Sequence, residues 1–186
     1  SSPRLRPITS FSVNLWFVLA GRIESAHCAT SPQRGAAAIR AYPMHWGLGP
    51  HDASMQALAV ACGSIGLPLL LTVRFEDLRQ RSPLDVAGDL TGAHLRALAR
   101  SGPSVKLVVT GSGRALLEET HWGLTPEEQR RVNWAFSWIW GPPEDHFAHL
   151  VSTICAERFV YGTHWNLRLT QNSRGNLDLL PVAPRV

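Results

Sequence analysis

The chain alternates short runs rich in apolar and β-branched residues with longer stretches whose apolar positions recur at helical spacing. Residues 37–42 (AAIRAY) read as a strand ended by Pro43, and 53–65 carry the spacing of a helix, with Asp52 as N-cap and Gly66 as its stop. Residues 67–73 (LPLLLTV) form a continuous apolar run, as expected of a strand covered on both faces. A helix over 91–100 (TGAHLRALAR) and a strand over 105–110 (VKLVVT) follow. Thr125-Pro126-Glu127-Glu128-Gln129 is a helix start, with Thr125 as cap, Pro126 in the first turn and Glu128 closing a capping box. A strand over 133–139, a helix over about 144–155 opened by Pro142 and Pro143, and a strand over 158–162 (RFVYG) complete the pattern. Five strands at intervals of roughly 30 residues, or six if 11–20 is also one, imply a parallel sheet, because a parallel return needs a long connection that a helix supplies. Periodicity leaves open whether this sheet is doubly wound or part of a barrel.

The length bounds the answer. The 186 residues form one domain, 1–186, but fall short of the ~250 of a closed (β/α)8 barrel. Hydrophobic residues at 45% and charged residues at 17% suit a globular core. The net charge of +4 does not imply a nucleic-acid partner: every cation but Lys106 is Arg, and the closest groupings sit beside acids rather than in a stripe. Cys28, Cys62 and Cys155 form no C-x-x-C pair and read as buried free thiols in a reducing cytoplasm. The apolar run 11–20 (FSVNLWFVLA) follows Arg4 and Arg6 as a signal segment would. However, Asn14 interrupts it, no A-x-A site follows, and it is half the ~20 residues of a membrane span, so it reads as a buried strand and no membrane partner is expected. The first residue is Ser1 rather than Met, which suggests preceding sequence.

In any parallel α/β sheet the ligand site lies at the carboxyl ends of the strands. Residues there include Met44, His45 and Trp46; Arg74, Glu76 and Asp77; Gly111, Ser112 and Arg114; Trp138 and Trp140; and Thr163, His164 and Trp165. Imidazoles, a guanidinium and carboxylates beside indoles suit a small-molecule pocket. His164, Glu76 and Arg74 are the candidate catalytic groups, and His45, Ser112, Trp138, Trp140 and Trp165 the candidate binding residues. Each has a plainer reading. His45 and His164 suit strand-end polar residues, and Glu76 and Asp77 beside Arg74, Arg79 and Arg81 suit a solvated ion-pair loop. Glu118 and His121, like His146 and His149, are three apart, but two ligands are too few for zinc, and all four read as surface residues. The seven Trp, four of them within 122–140, serve packing as readily as ring binding. No dinucleotide, P-loop or nucleophile-elbow motif occurs, so no nucleotide cofactor is expected. Gly111-Ser112-Gly113 is the nearest approach, a turn whose backbone amides could hold an anion.

Four segments in combination carry a family resemblance: GAAAIRAYP at 35–43, GLPLLLTV at 66–73, AERFVYGTHW at 156–165 and NLDLL at 176–180. Over about 35–180 the chain resembles the amidohydrolase-related family, in the branch of aminocarboxymuconate-semialdehyde decarboxylase and pyrone-dicarboxylate lactonase. The resemblance implies an α/β fold, a partial TIM-type (β/α)8 barrel of about five to six β/α units holding the later strands, whose open edges a missing N-terminal segment or a second copy would cover. It also implies a metal-dependent hydrolase, or a decarboxylase, acting on a small carbonyl compound such as an amide, ester or lactone, with zinc or manganese activating water. The family's ligands are an H-x-H pair, a His after a middle strand and an Asp after the last. This sequence has no H-x-H, Thr72 stands at the middle-strand position, and His164 replaces the Asp, leaving His164 as the one candidate metal ligand. Arg74 and the Trp cluster favour a cyclic or aromatic carboxylate as substrate. The alternatives are a nonenzymatic binding or scaffold domain that has kept the barrel units, and a truncated inactive barrel.

Overall fold

A computed structural model describes residues 36–43, 52–73, 89–136, 146–162 and 175, together with the backbone of 15–17. Its strands are β1 (Leu15–Phe17), β2 (Ala38–Ala41), β3 (Leu69–Thr72), β4 (Leu107–Thr110), β5 (Val132–Phe136) and β6 (Phe159–Tyr161). The helices are α1 (Ala53–Ile65), α2 (Gly92–Ser101), α3 (Arg114–Trp122), α4 (Pro126–Gln129) and α5 (His146–Ile154), with a 3-10 turn over Ala156–Arg158. Every strand pairs in parallel with its neighbour in sequence, giving one sheet in the order β1 to β6.

That order decides between the two architectures the periodicity left open. A doubly wound sheet reverses direction at a switch point and carries helices on both faces, whereas a sheet wound continuously one way, with right-handed crossovers, carries all its helices on one face. Ile39, Leu69, Leu71, Leu107, Val109 and Trp134 point to a single face and form one core with Leu58 and Cys62 of α1, Leu95 and Leu98 of α2, Leu117 of α3, and Leu150 of α5. All five crossovers are one-way, so the chain is a partial α/β barrel of the TIM type. The opposite, inner face carries Ala38 and Arg40, Leu70 and Thr72, Val108 and Thr110, Asn133 and Ala135, and Val160, as the register requires.

Capping sets the helix ends. Asp52 Oδ1 accepts from the amides of Ser54 (2.8 Å) and Met55 (3.3 Å) at the start of α1, and Gly66, at φ +73°, ends it in the left-handed conformation. Thr125 and Glu128 close the expected capping box on α4, through Thr125 N to Glu128 Oε2 (2.8 Å) and Glu128 N to Thr125 Oγ1 (3.3 Å). Arg131, just before β5, donates through Nη1 to the carbonyls of Ala99 (2.9 Å) and Gly102 (3.0 Å), joining its charge to the negative end of α2. Strand β5 starts one residue earlier than the sequence predicts, and residues 137–139 of the expected strand lie outside the described residues. Helix α3 was not expected, because its N-cap, Gly113, has no side chain to mark it. Among the described residues no helix is long and apolar enough to cross a membrane.

Candidate functional site

Polar groups from three strands converge on the inner face at the carboxyl end of the sheet. Arg40 stands opposite Leu70 in the register, and Thr72, two residues further along β3, stands opposite Thr110. The Arg40 side chain reaches up this one step, about 6.6 Å of strand. Its Nε and Nη2 donate to Thr72 Oγ1 at 3.1 and 3.0 Å. Thr110 Oγ1 donates within reach of both Thr72 Oγ1 (3.1 Å) and the Leu71 carbonyl (3.4 Å). Both threonines are buried, Thr72 at 1% and Thr110 at 8% exposure, so the polar cluster satisfies itself where unpaired hydroxyls would be costly.

Arg40 itself is only half-buried, and no carboxylate among the described residues pairs with it. Its guanidinium lies 5.0 Å from the centroid of the Tyr42 ring, which comes from the same face two residues on. Burial raises the Tyr42 pKa above its ordinary value and the nearby Arg40 charge partly opposes this, so the phenol stays protonated at neutral pH. Beyond Thr110 the chain turns at Gly111, φ +76°, passes through half-buried Ser112 and enters α3 at Gly113, whose helix start has no side-chain cap.

Of the residues picked out by sequence, Ser112 is described and lies beside this cluster in the chain; His45, Arg74, Glu76, Trp138, Trp140, His164 and Trp165 lie outside the described residues. They follow the carboxyl ends of β2, β3, β5 and β6 in sequence. His121 is a correction: it is 5% exposed, not a surface residue, because Leu117, Thr120, His121 and Leu124 make one buried stripe. Burial, reinforced by the Arg158 charge, depresses its pKa. Glu118 pairs with Arg114 at 3.0 Å along the same helix. His149 is exposed, as expected. Arg40 and Thr110 are not among the residues the sequence singles out, because they lie within the strands rather than in the segments that follow them.

A divalent metal does not fit at Thr72. Its hydroxyl oxygen has two lone pairs and three donors around it, and the nearest of them belongs to a fixed cation that would repel a metal ion. Among the described residues no group of three His, Cys, Asp or Glu could hold one.

No family model matches the chain, and no curated protein matches it. Among solved structures it is similar to an uncharacterized TIM-barrel protein of Bordetella bronchiseptica, at a TM-score of 0.63 and 15% identity. The match covers 91% of this chain and 60% of that one, so the present chain spans rather less than two thirds of that protein's length. At that identity the likeness concerns the fold alone.

Proposed function

We propose that this chain is a cytoplasmic hydrolase of the amidohydrolase type acting on a small carbonyl compound, an amide, ester or lactone. The observation that carries the reading is the polar cluster of Arg40, Thr72 and Thr110 at the carboxyl end of a one-way parallel sheet, the end at which barrels of this type bind their ligands. His164 and Glu76, after β6 and β3 in sequence, are the groups proposed to move protons, and Arg74 completes the proposed catalytic set. His45, Ser112, Trp138, Trp140 and Trp165 are proposed to line the pocket. Zinc or manganese, implied by the family resemblance, has no fit at Thr72, so the proposed chemistry runs through His164 as general base: it takes a proton from water as the oxygen attacks the carbonyl carbon, then returns it to the leaving oxygen or nitrogen.

The test is turnover of a panel of small esters, lactones and amides in ¹⁸O-labelled water, read by mass spectrometry. Label in the product acid with wild-type protein, and its loss in His164→Ala, supports the reading. Absence of label across the panel, from protein whose ligand binding is intact, overturns it in favour of a nonenzymatic binding domain, and release of CO2 without label overturns it in favour of a decarboxylase.

A further inference from the structure

We infer that the capping box of α2 is a proton-sensitive tie, closed by neutral His94 and opened when that ring gains a proton. In the usual box the residue three places after the cap is Glu or Gln, whose side chain reaches back to the cap's own amide. In α2 that place is held by His94. Its Nδ1 accepts from the Thr91 backbone N–H at 2.9 Å and lies 2.6 Å from Thr91 Oγ1, while the His94 amide donates to Thr91 Oγ1 over a longer 3.5 Å. A ring nitrogen at which a backbone N–H points must be the bare one, so the neutral imidazole carries its proton on Nε2.

Protonation removes that acceptor. Thr91 Oγ1 can accept from the new Nδ1–H, which reverses one contact, but Nδ1–H and the Thr91 amide then face each other donor to donor. The added charge also lies in the first turn, where the helix dipole disfavours a cation. Thr91 is exposed and His94 half-buried, so the proton arrives without unfolding. Among the described residues the neighbouring charges leave this direction intact. Helix α1, packed against α2, carries no charged residue. From α3, Glu119 approaches the start of α2 at Gly92 but pairs with Arg96 at 3.4 Å, and Glu118 pairs with Arg114 at 3.0 Å. The Arg100–Glu128 pair lies at the far end of α2. Asp89, two residues before the cap, is an acid that helps a proton onto the ring and so promotes opening.

The chain contains its own reference. The box of α4 has the same geometry, with Thr125 N donating to Glu128 Oε2 at 2.8 Å, but its acceptor is a carboxylate held below the usual carboxylate range, chiefly by that Thr125 amide. It stays closed over the range in which imidazoles titrate, ~6.5. The two boxes also differ in place. Helices of a parallel β/α unit start at the carboxyl end of the sheet, and Thr91 is where the connection from β3, which carries Arg74 and Glu76 in sequence, enters α2. The side-chain tie at that junction is therefore present on the alkaline side of the imidazole range and lost on the acid side.

The test is nuclear magnetic resonance on the ¹⁵N-labelled full chain, titrated from about pH 8 to 5 while the His94 ring nitrogens and the Thr91 and Thr125 amides are followed. At the alkaline end His94 is expected as the Nε2–H tautomer. As the ring titrates, the Thr91 amide should move with it and lose protection from solvent exchange severalfold, after correction for the intrinsic pH dependence, while Thr125 stays constant. His94→Gln supplies an acceptor that does not titrate and should hold the Thr91 amide constant as well. A ring with its proton on Nδ1 at the alkaline end, or a Thr91 amide unmoved through the His94 titration, overturns the inference in the wild-type protein alone. A His94→Gln protein whose Thr91 amide follows the wild-type profile also overturns it.

Discussion

If Thr72 holds the Arg40 guanidinium, the two side chains are energetically coupled, and a double-mutant cycle measures by how much. Thr72→Val removes the accepting oxygen with little change of shape at a position that is 1% exposed. Arg40→Met removes the donors and keeps an unbranched stem. A hydrogen bond to a charged group contributes about 1.5–3 kcal/mol. Arg40 is half-buried, so in Thr72→Val water takes up part of the loss, which brings the expected coupling down to about 1–1.5 kcal/mol. For a chain of this length, a loss of that size lowers the melting temperature by about 2–6 °C. Thr110→Val paired with Arg40→Met serves as the internal comparison: Thr110 reaches Arg40 only through Thr72, so its coupling should be smaller. Urea unfolding of the wild-type, single and double variants, followed by tryptophan fluorescence and circular dichroism, supplies all the terms. An Arg40–Thr72 coupling within ~0.5 kcal/mol of zero is what independent sites give. That result would refute the claim that Thr72 holds the guanidinium in place.

Three further outcomes follow from single groups. The chain has two tyrosines, Tyr42 and Tyr161, so in Tyr161→Phe the ultraviolet titration reports Tyr42 alone; it should fall above pH 10.0 and move higher still in Arg40→Met, which removes the opposing charge. The depressed pKa of buried His121 means that the unfolded chain binds its proton more readily, so its contribution to stability is complete above about pH 6.5 and is lost as the pH falls through the folded-state value; urea midpoints between pH 5 and 8 should show His121→Gln with a flatter acid limb than wild type. At Gly66, φ +73°, an added Cβ meets open space, so Gly66→Ala should cost about 1–2 kcal/mol from backbone strain alone, and Gly66→Asn, which tolerates this conformation, should recover much of it in the same unfolding assay.

The strands were legible because each is a short apolar run bounded by a breaker, and the caps of α1 and α4 because Asp52 and Thr125 announce themselves by side-chain type, whereas Thr91, read as the first residue of its helix, is the N-cap of α2. Helix α3 was not, since its buried stripe places Thr120 and His121 where a pattern search expects aliphatic residues, and its cap is a glycine. The one-way winding was also hidden: runs such as Leu69–Thr72 look alike whether helices cover one face or both. The candidate site shows a different kind of gap. In A-A-I-R-A-Y nothing marks Arg40 as more than a polar interruption of a strand. Its importance depends on parallel register, which sets Thr72 one step above it on the neighbouring strand, and on the length of an arginine side chain, which spans that step.

That placement also explains why the polar residues occur where they do. A strand buried on both faces tolerates a hydroxyl only with a partner, and the register supplies one by setting Thr72 directly across from Thr110. The level below, Leu70 and Val108, is apolar and needs none. The inner face thus changes character over one pleat, from a hydrocarbon floor to a self-satisfied layer of hydroxyls capped by a guanidinium. A cation at such a boundary is desolvated on the floor side and wet on the other. The threonines fix the orientation of the guanidinium at this boundary, which a side chain facing water alone would not keep. The hydroxyl pair therefore fixes the guanidinium at that boundary, which is why Thr72→Val is the more searching substitution.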